Sequence, residues 1–423
     1  MYEKRTLPNG LRVIMTPVAG VRGAAVRLFV GAGSRYDPAE LSGMAHFLEH
    51  MVFEGTTSFP NTKAISIAID GVGGIINAST GRETTAYEIY VANHYLERAM
   101  HVISDMALHP ILDPAEFDRE RNVITEEIRE SFDSPGAWAG MLSNEAMWPS
   151  PLPLGREIAG TEESVRGIQE DNLRAFMRQH YVPGNAVLSV AGGINLDEVM
   201  TQAERYFGPW ESGPVPVWTP SMPPADAPRV RLGYRRTKQT TVILSMPSLS
   251  RMDPDVHVLS LLNTILGGGS EFSRLFQRVR DELGLAYYVA SGGAEYYDCG
   301  SYVVEAGVQP ARVVPALRAV LDELDRLRQE SVPADELEMA RTSRTGRLEL
   351  ALDSPTYLAD WFGDQELTEN RIQLPDEVLA LYAAVTPDDI QRMAQRLFDE
   401  NLLRLVLVGP HKTPGQFERA LTL

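Results

Sequence analysis

Two histidines four residues apart, with a glutamate between them, are the side chains best placed to do chemistry. They are His46, Glu49 and His50, within GMAHFLEHMVFEGT, residues 43–56. On a helix, positions i and i+4 share a face, so both imidazoles can reach one metal ion. Glu49 lies on the same side and can touch a water at that metal without being a ligand. A catalytic zinc usually takes three protein ligands and keeps a position open. The chain has a single cysteine, Cys299, so a carboxylate is the natural third ligand.

The best source is DPAEFDRERNVITEEIRESF, residues 113–132, where Asp113, Pro114 and Glu116 suit the N-cap, first and third positions of a helix. With Phe117 at zero and about 100° per residue, Ile124 and Ile128 fall within ~20° of it and define a buried stripe. Glu127, at ~280°, and Glu120, at ~300°, flank that stripe, while Glu126, at ~180°, faces away. Glu127 is therefore the carboxylate able to point towards a metal. Glu120, two turns earlier, can accept the spare N–H of a ligand histidine.

These helices must be set on a larger frame. The 423 residues carry 39 Lys and Arg against 57 Asp and Glu, a formal charge of −18 that argues against a nucleic-acid binder. One cysteine excludes a disulfide framework or a Cys-based zinc ribbon. No apolar run approaches the ~18 residues of a membrane span, and the first residues show no signal-peptide core, so the cytoplasm is the default location. Seven of the 28 prolines fall in residues 209–228, which read as an extended linker. The expected domains are 1–208 and 229–423.

The two halves look duplicated. A strand-like run followed by Ser-Arg-x-Asp-Pro occurs at residues 23–38 and again at 239–254, an offset of 216. A helix leading into a β-rich run that ends at glycine occurs at 171–192 and again at 388–409, an offset of 217. Strands and helices do not alternate strictly, so the expected class is α+β, each domain a mostly antiparallel sheet packed with helices. At the offset of 216, His46, Glu49 and His50 become Leu262, Ile265 and Leu266, so the second copy cannot hold a metal this way.

H-x-x-E-H is the inverse of the H-E-x-x-H zinc-protease motif. With Glu127 lying 77 residues beyond His50, the chain resembles the pitrilysin and insulin-degrading-enzyme family of zinc peptidases. It is most similar to the short-chain branch that includes mitochondrial processing peptidase. The resemblance runs over nearly the whole chain. It implies one zinc per chain held by His46, His50 and Glu127, with Glu49 as general base. It implies that the strand in GGIINASTGRETTAY, residues 73–87, pairs with the substrate backbone, with Asn77 and Ala78 beside the scissile bond. It also implies that Arg280 and Tyr287 in the second half contact substrate and polarise its carbonyl; Tyr288 is a neighbouring candidate that the spacing favours less. Family members enclose peptides in a chamber of four such half-domains, so a homodimer with composite active sites is implied, a heterodimeric partner being the alternative. A competing expectation is a non-catalytic assembly subunit of similar fold. Such subunits lose motif residues, whereas each expected residue is present here. The glycines at 71–74 and 267–269 lack the spacing of a phosphate-binding loop.

Overall fold

The computed structural model describes residues 2–149, 151–222 and 228–422. Two compact units are formed. The first comprises Met1–Arg129, Arg156–Thr219 and Glu349–Ile372; the second comprises Glu130–Gly155, Pro220–Leu348 and Gln373–Leu423. Residues 130–155 and 349–372 thus fall in the opposite unit from that implied by boundaries at 208 and 229. Of the proline-rich stretch, residues 209–222 and 228 carry no helix or strand, and 223–227 lie outside the described residues.

The first unit is built on a six-stranded sheet. Its strands are β1 (Glu3–Thr6), β2 (Arg12–Pro17), β3 (Gly23–Val30), β4 (Ile75–Thr80), β5 (Thr85–Ala92) and β6 (Ala186–Gly192), in the order β1-β2-β6-β3-β5-β4. Only β2 and β6 run parallel; the other pairs are antiparallel. The second unit has β7 (Val230–Tyr234), β8 (Thr240–Ser248), β9 (Ala286–Glu295), β10 (Gly300–Val308) and β11 (Arg404–Gly409), in the order β7-β11-β8-β10-β9. Here β7 and β11 are the parallel pair and the rest are antiparallel. Five strands of each unit therefore repeat one topology, which is the duplication seen in sequence. Each unit is an α+β layer.

The central strands β6 (AVLSVAG) and β11 (RLVLVG) are buried at every residue. A strand without polar alternation needs cover on both faces. In the first unit, one face packs on helices such as Met44–Met51 and Leu96–Leu108 in a single apolar core. The other face is covered by Pro355–Thr368, a helix from the second half of the sequence. Ion pairs fix it there: Glu366, 1% exposed, meets Lys4 at 2.6 Å, and Asp360 meets Arg27 at 2.6 Å. In the second unit the matching cover is Pro135–Met147, from the first half, whose Ala139 and Ala146 pack on Ile243, Val406 and Val408. Both exchanged helices begin alike. Ser134 and Ser354 cap them by accepting from Ala137 and Tyr357 N–H, and proline follows each cap.

Gly363 faces the sheet at close range. A Cβ there would stand 2.4 Å from the Phe29 ring and 2.8 Å from the Ser189 Cβ. A Cβ at Gly140, on the other exchanged helix, meets nothing within 4 Å. Alanine relieves the helical cost of glycine at both, by about 0.5–1 kcal/mol, but overpacks only position 363, at about 1–3 kcal/mol. Gly140→Ala should raise the urea midpoint of unfolding and Gly363→Ala should lower it; equal shifts would contradict this packing.

Candidate metal centre

The helix Met44–Met51 has only eight residues, and its intrinsic stability is marginal. Met44, Ala45, Phe47, Leu48 and Met51 are buried in the first unit's core, which leaves His46, Glu49 and His50 on the other side. Gly43 precedes the helix at φ +97°, in the left-handed region, and a Cβ there would meet the Ala159 carbonyl oxygen at 2.6 Å. The first amide groups are capped from outside the helix. Asp37 Oδ2 accepts from Gly43 N–H at 2.8 Å and Met44 N–H at 3.2 Å, and Oδ1 accepts from Ala45 N–H at 3.0 Å. Burial pushes the Asp37 carboxyl up to about 7, against the pull of these donors and of Arg156.

The acidic helix Pro114–Asp133 supplies the carboxylates. Asp113 starts it, its side chain accepting from Ala115 N–H at 2.9 Å. Phe117, Ile124 and Ile128 are buried, as the helical wheel requires. Glu126 is turned outward in an ion pair with Arg129 at 2.6 Å. Glu127 turns inward: its Oε2 lies 3.9 Å from His46 Nε2 and 3.6 Å from His50 Nε2. One ligand atom each from His46, His50 and Glu127 therefore lie within 4.8 Å of one another. Tetrahedral zinc with bonds of about 2.0–2.2 Å sets its ligands roughly 3.3–3.5 Å apart. The donor set fits that ion with small side-chain adjustments.

The surroundings suit a cation. His50 Nδ1 lies 3.2 Å from Glu120 Oε2, which fixes the tautomer that leaves Nε2 facing Glu127. Burial, and then the neighbouring His50, lower His46 to about 4, so it is neutral at physiological pH, as a ligand must be. Burial would lower His50 too, but the Glu120 hydrogen bond and the charges of Glu127 and Glu49 outweigh it and raise it. The same bond to His50 lowers Glu120. Glu49 is raised by burial, opposed chiefly by a hydrogen bond that Thr80 Oγ1 donates to its Oε2 at 2.9 Å. The buried Nδ1 of His46 has no hydrogen-bond partner among the described residues.

Segment 73–87 is a hairpin rather than one strand: edge strand β4, a turn, and the start of β5. Ala78 and Thr80 share the inner face of β4, whereas Asn77 is exposed on the outer one. Arg280 and Tyr287 belong to the second unit, so the first unit's cluster does not include them. Arg280 is exposed on a π-helical turn, Phe276–Glu282, its guanidinium 4.5 Å from the Phe276 ring. Tyr287 sits at a β-bulge on the edge strand β9 and is 75% exposed. The bulge breaks the alternation, so Tyr288 is exposed as well. The Tyr288 phenol donates to Glu305 at 2.9 Å, which leaves Tyr287 as the more available hydroxyl of the two. In the second copy, Leu262, Ile265 and Leu266 are buried on the apolar helix Val256–Leu266. Sequence reading missed Asp37 and Thr80. Asp37 had been in view only as part of the repeated Ser-Arg-x-Asp-Pro.

A duplicated α+β fold with an H-x-x-E-H helix facing an inward glutamate defines a class of metallopeptidase-like proteins. Comparison with known proteins narrows that class. Residues 12–162 match the family described as "Insulinase (Peptidase family M16)", and residues 167–344 match "Peptidase M16 inactive domain". A Streptomyces coelicolor protein described as an uncharacterized zinc protease is 36% identical over 97% of this chain and 90% of its own length. One from Bacillus subtilis, described in the same words, is 32% identical over 97% and 98%. The fold superposes on a protease from Helicobacter pylori with a TM-score of 0.92 at 23% identity, covering 97% of this chain and 99% of that one. The chain belongs to peptidase family M16.

The geometry makes Glu120 the group that orients His50. Glu120→Gln should weaken zinc binding about 10- to 100-fold in chelator competition, while Glu126→Gln leaves it unchanged. Equal affinities for the two variants would exclude this role.

Proposed function

We propose that this chain is a zinc-dependent endopeptidase acting on peptides or unfolded polypeptide segments. The observation that carries the reading is the convergence of His46, His50 and Glu127, with Glu49 on the same helix as both histidines. A bound zinc supplies Lewis acidity, which makes water a nucleophile at neutral pH and polarises a peptide carbonyl. Glu49 acts as general base. It takes a proton from the attacking water and passes it to the departing amine. The elevated affinity of its buried carboxylate for a proton suits that double duty. β4 is the edge of its sheet, so an extended peptide can add to it as a further strand, with the Asn77–Ala78 backbone beside the bond to be cut. Arg280 and Tyr287 are donors suited to a developing oxyanion. In this reading two copies form a homodimer around a chamber, and the second domain of each serves the metal site of the other.

The direct test is cleavage of an unstructured fluorogenic peptide by wild type, by chelated protein and by Glu49→Gln. Loss of a general base lowers the rate about 10²- to 10⁴-fold, and zinc should restore the chelated protein alone. Equal cleavage in all three overturns the zinc mechanism. The dimer has its own test. Inactive Glu49→Gln and Tyr287→Phe subunits, allowed to exchange, should regain part of the wild-type activity when mixed. No recovery from demonstrably exchanged subunits would rule out a composite site.

A further inference from the structure

We propose that Thr80 is a positioning residue for Glu49, tying the general base to the strand that receives substrate. The inference rests on the peptidase reading above and adds a residue to it. Thr80 is the last residue of β4, two positions after Ala78 and on the same face of the strand. Its hydroxyl donates to Glu49 Oε2 at 2.9 Å, and its backbone N–H bonds to the same carboxylate. A glutamate has three side-chain torsions, and eight residues of helix fix only its Cα. Without a second anchor the carboxylate would sample several rotamers. Thr80 provides that anchor from a different element.

The placement is specific to the metal-bearing copy. Val30 of β3 pairs with Thr85, and Met246 of β8, its counterpart at the offset of 216, pairs with Tyr302; the residues across the hairpins from these are Thr80 and Gly293. The duplication thus sets Gly293 opposite Thr80 and Ile265 opposite Glu49, a pair that cannot form this bond. The hydroxyl is absent where there is no base to hold. β4 is also the free edge of its sheet. A peptide adding to it would order the backbone from Ile75 to Thr80, and with it the donor that orients Glu49. Docking of substrate and alignment of the base would then be one event.

The test compares Thr80→Val, which keeps the shape and removes the O–H, with Thr80→Ser, which keeps the O–H. Loss of a hydrogen bond to a charged group is worth a factor of about 10 to 100, so Thr80→Val should lower kcat by that factor with little change in KM. Thr80→Ser should recover most of it. Both variants should retain the zinc content of wild type. The second readout is independent of activity. In crystals of metal-free Thr80→Val the Glu49 carboxylate should occupy more than one rotamer, against a single one in wild type. A Thr80→Val protein with wild-type kcat and one fixed Glu49 rotamer overturns the proposal. If instead Glu49→Gln cleaves as well as wild type, the peptidase reading has failed, and the rotamer comparison still decides whether Thr80 holds Glu49.

Discussion

The cluster of His46, His50 and Glu127 depends on how one short helix is held. Eight residues close few intrahelical hydrogen bonds, and such a segment is not stable by itself in water. Met44–Met51 nevertheless has to keep two imidazoles four residues apart facing a carboxylate from another helix. Its apolar side is locked into the core by Phe47, Leu48 and Met51, and its amide end is locked by the three N–H groups that Asp37 accepts. Asp37 is buried, and those donors and Arg156 offset only part of what burial costs its charge. The position of the helix follows from both anchors, and the positions of His46 and His50 follow from the helix.

The acidic helix completes the cluster by a different logic. Its buried stripe fixes its rotation, and that rotation separates Glu127 and Glu120 from Glu126. Three carboxylates, Glu49, Glu120 and Glu127, and two imidazoles then lie close together, an arrangement that is poor for stability but suited to a divalent cation. Glu49 and Glu127 repel each other, which raises Glu49 further, while the His50–Glu120 bond offsets part of the unfavourable charge. Such a site trades stability for affinity, and the large apolar core beneath it supplies the margin.

Much of this was legible in the sequence, for physical reasons. Helical periodicity alone separates Glu127 from Glu126, because a helix turns by a fixed angle per residue. The duplication was visible because strands and turns retain local signatures such as Ser-Arg-x-Asp-Pro. The exchange of Pro135–Met147 and Pro355–Thr368 was not legible. Periodicity reveals that a helix has an apolar face but not which sheet that face covers. The shared Asp-Ser-Pro start of both helices, at 133–135 and 353–355, was the available signal. Thr80 was missed for a related reason: its contact with Glu49 spans 31 residues and two elements, and threonine in an edge strand is ordinary.

The divergence of the two copies shows which features belong to the frame and which to the site. Tyr87 and Tyr181 pack at 6.5 Å with planes at 59°, and Tyr302 and Phe398 pack at 6.2 Å with planes at 57°. The two ring pairs are similar in geometry but not in position: Phe398 matches Tyr181 at the offset of 217, whereas the strand register sets Val304, not Tyr302, opposite Tyr87. The polar atoms of the two pairs differ as well. In the first unit the two phenols share a hydrogen bond at 2.7 Å in the field of Glu49. In the second, Phe398 has lost its hydroxyl and Tyr302 turns its own to Asn263 and Ser291. A buried hydroxyl has to find a partner, so each copy satisfies its polar groups around a ring contact of its own. The same holds for the helix of His46, Glu49 and His50, whose second-copy counterpart carries Leu262, Ile265 and Leu266 at those positions. One fold thus accommodates both the cluster and its absence, because the strand order repeated in the two units does not depend on these side chains.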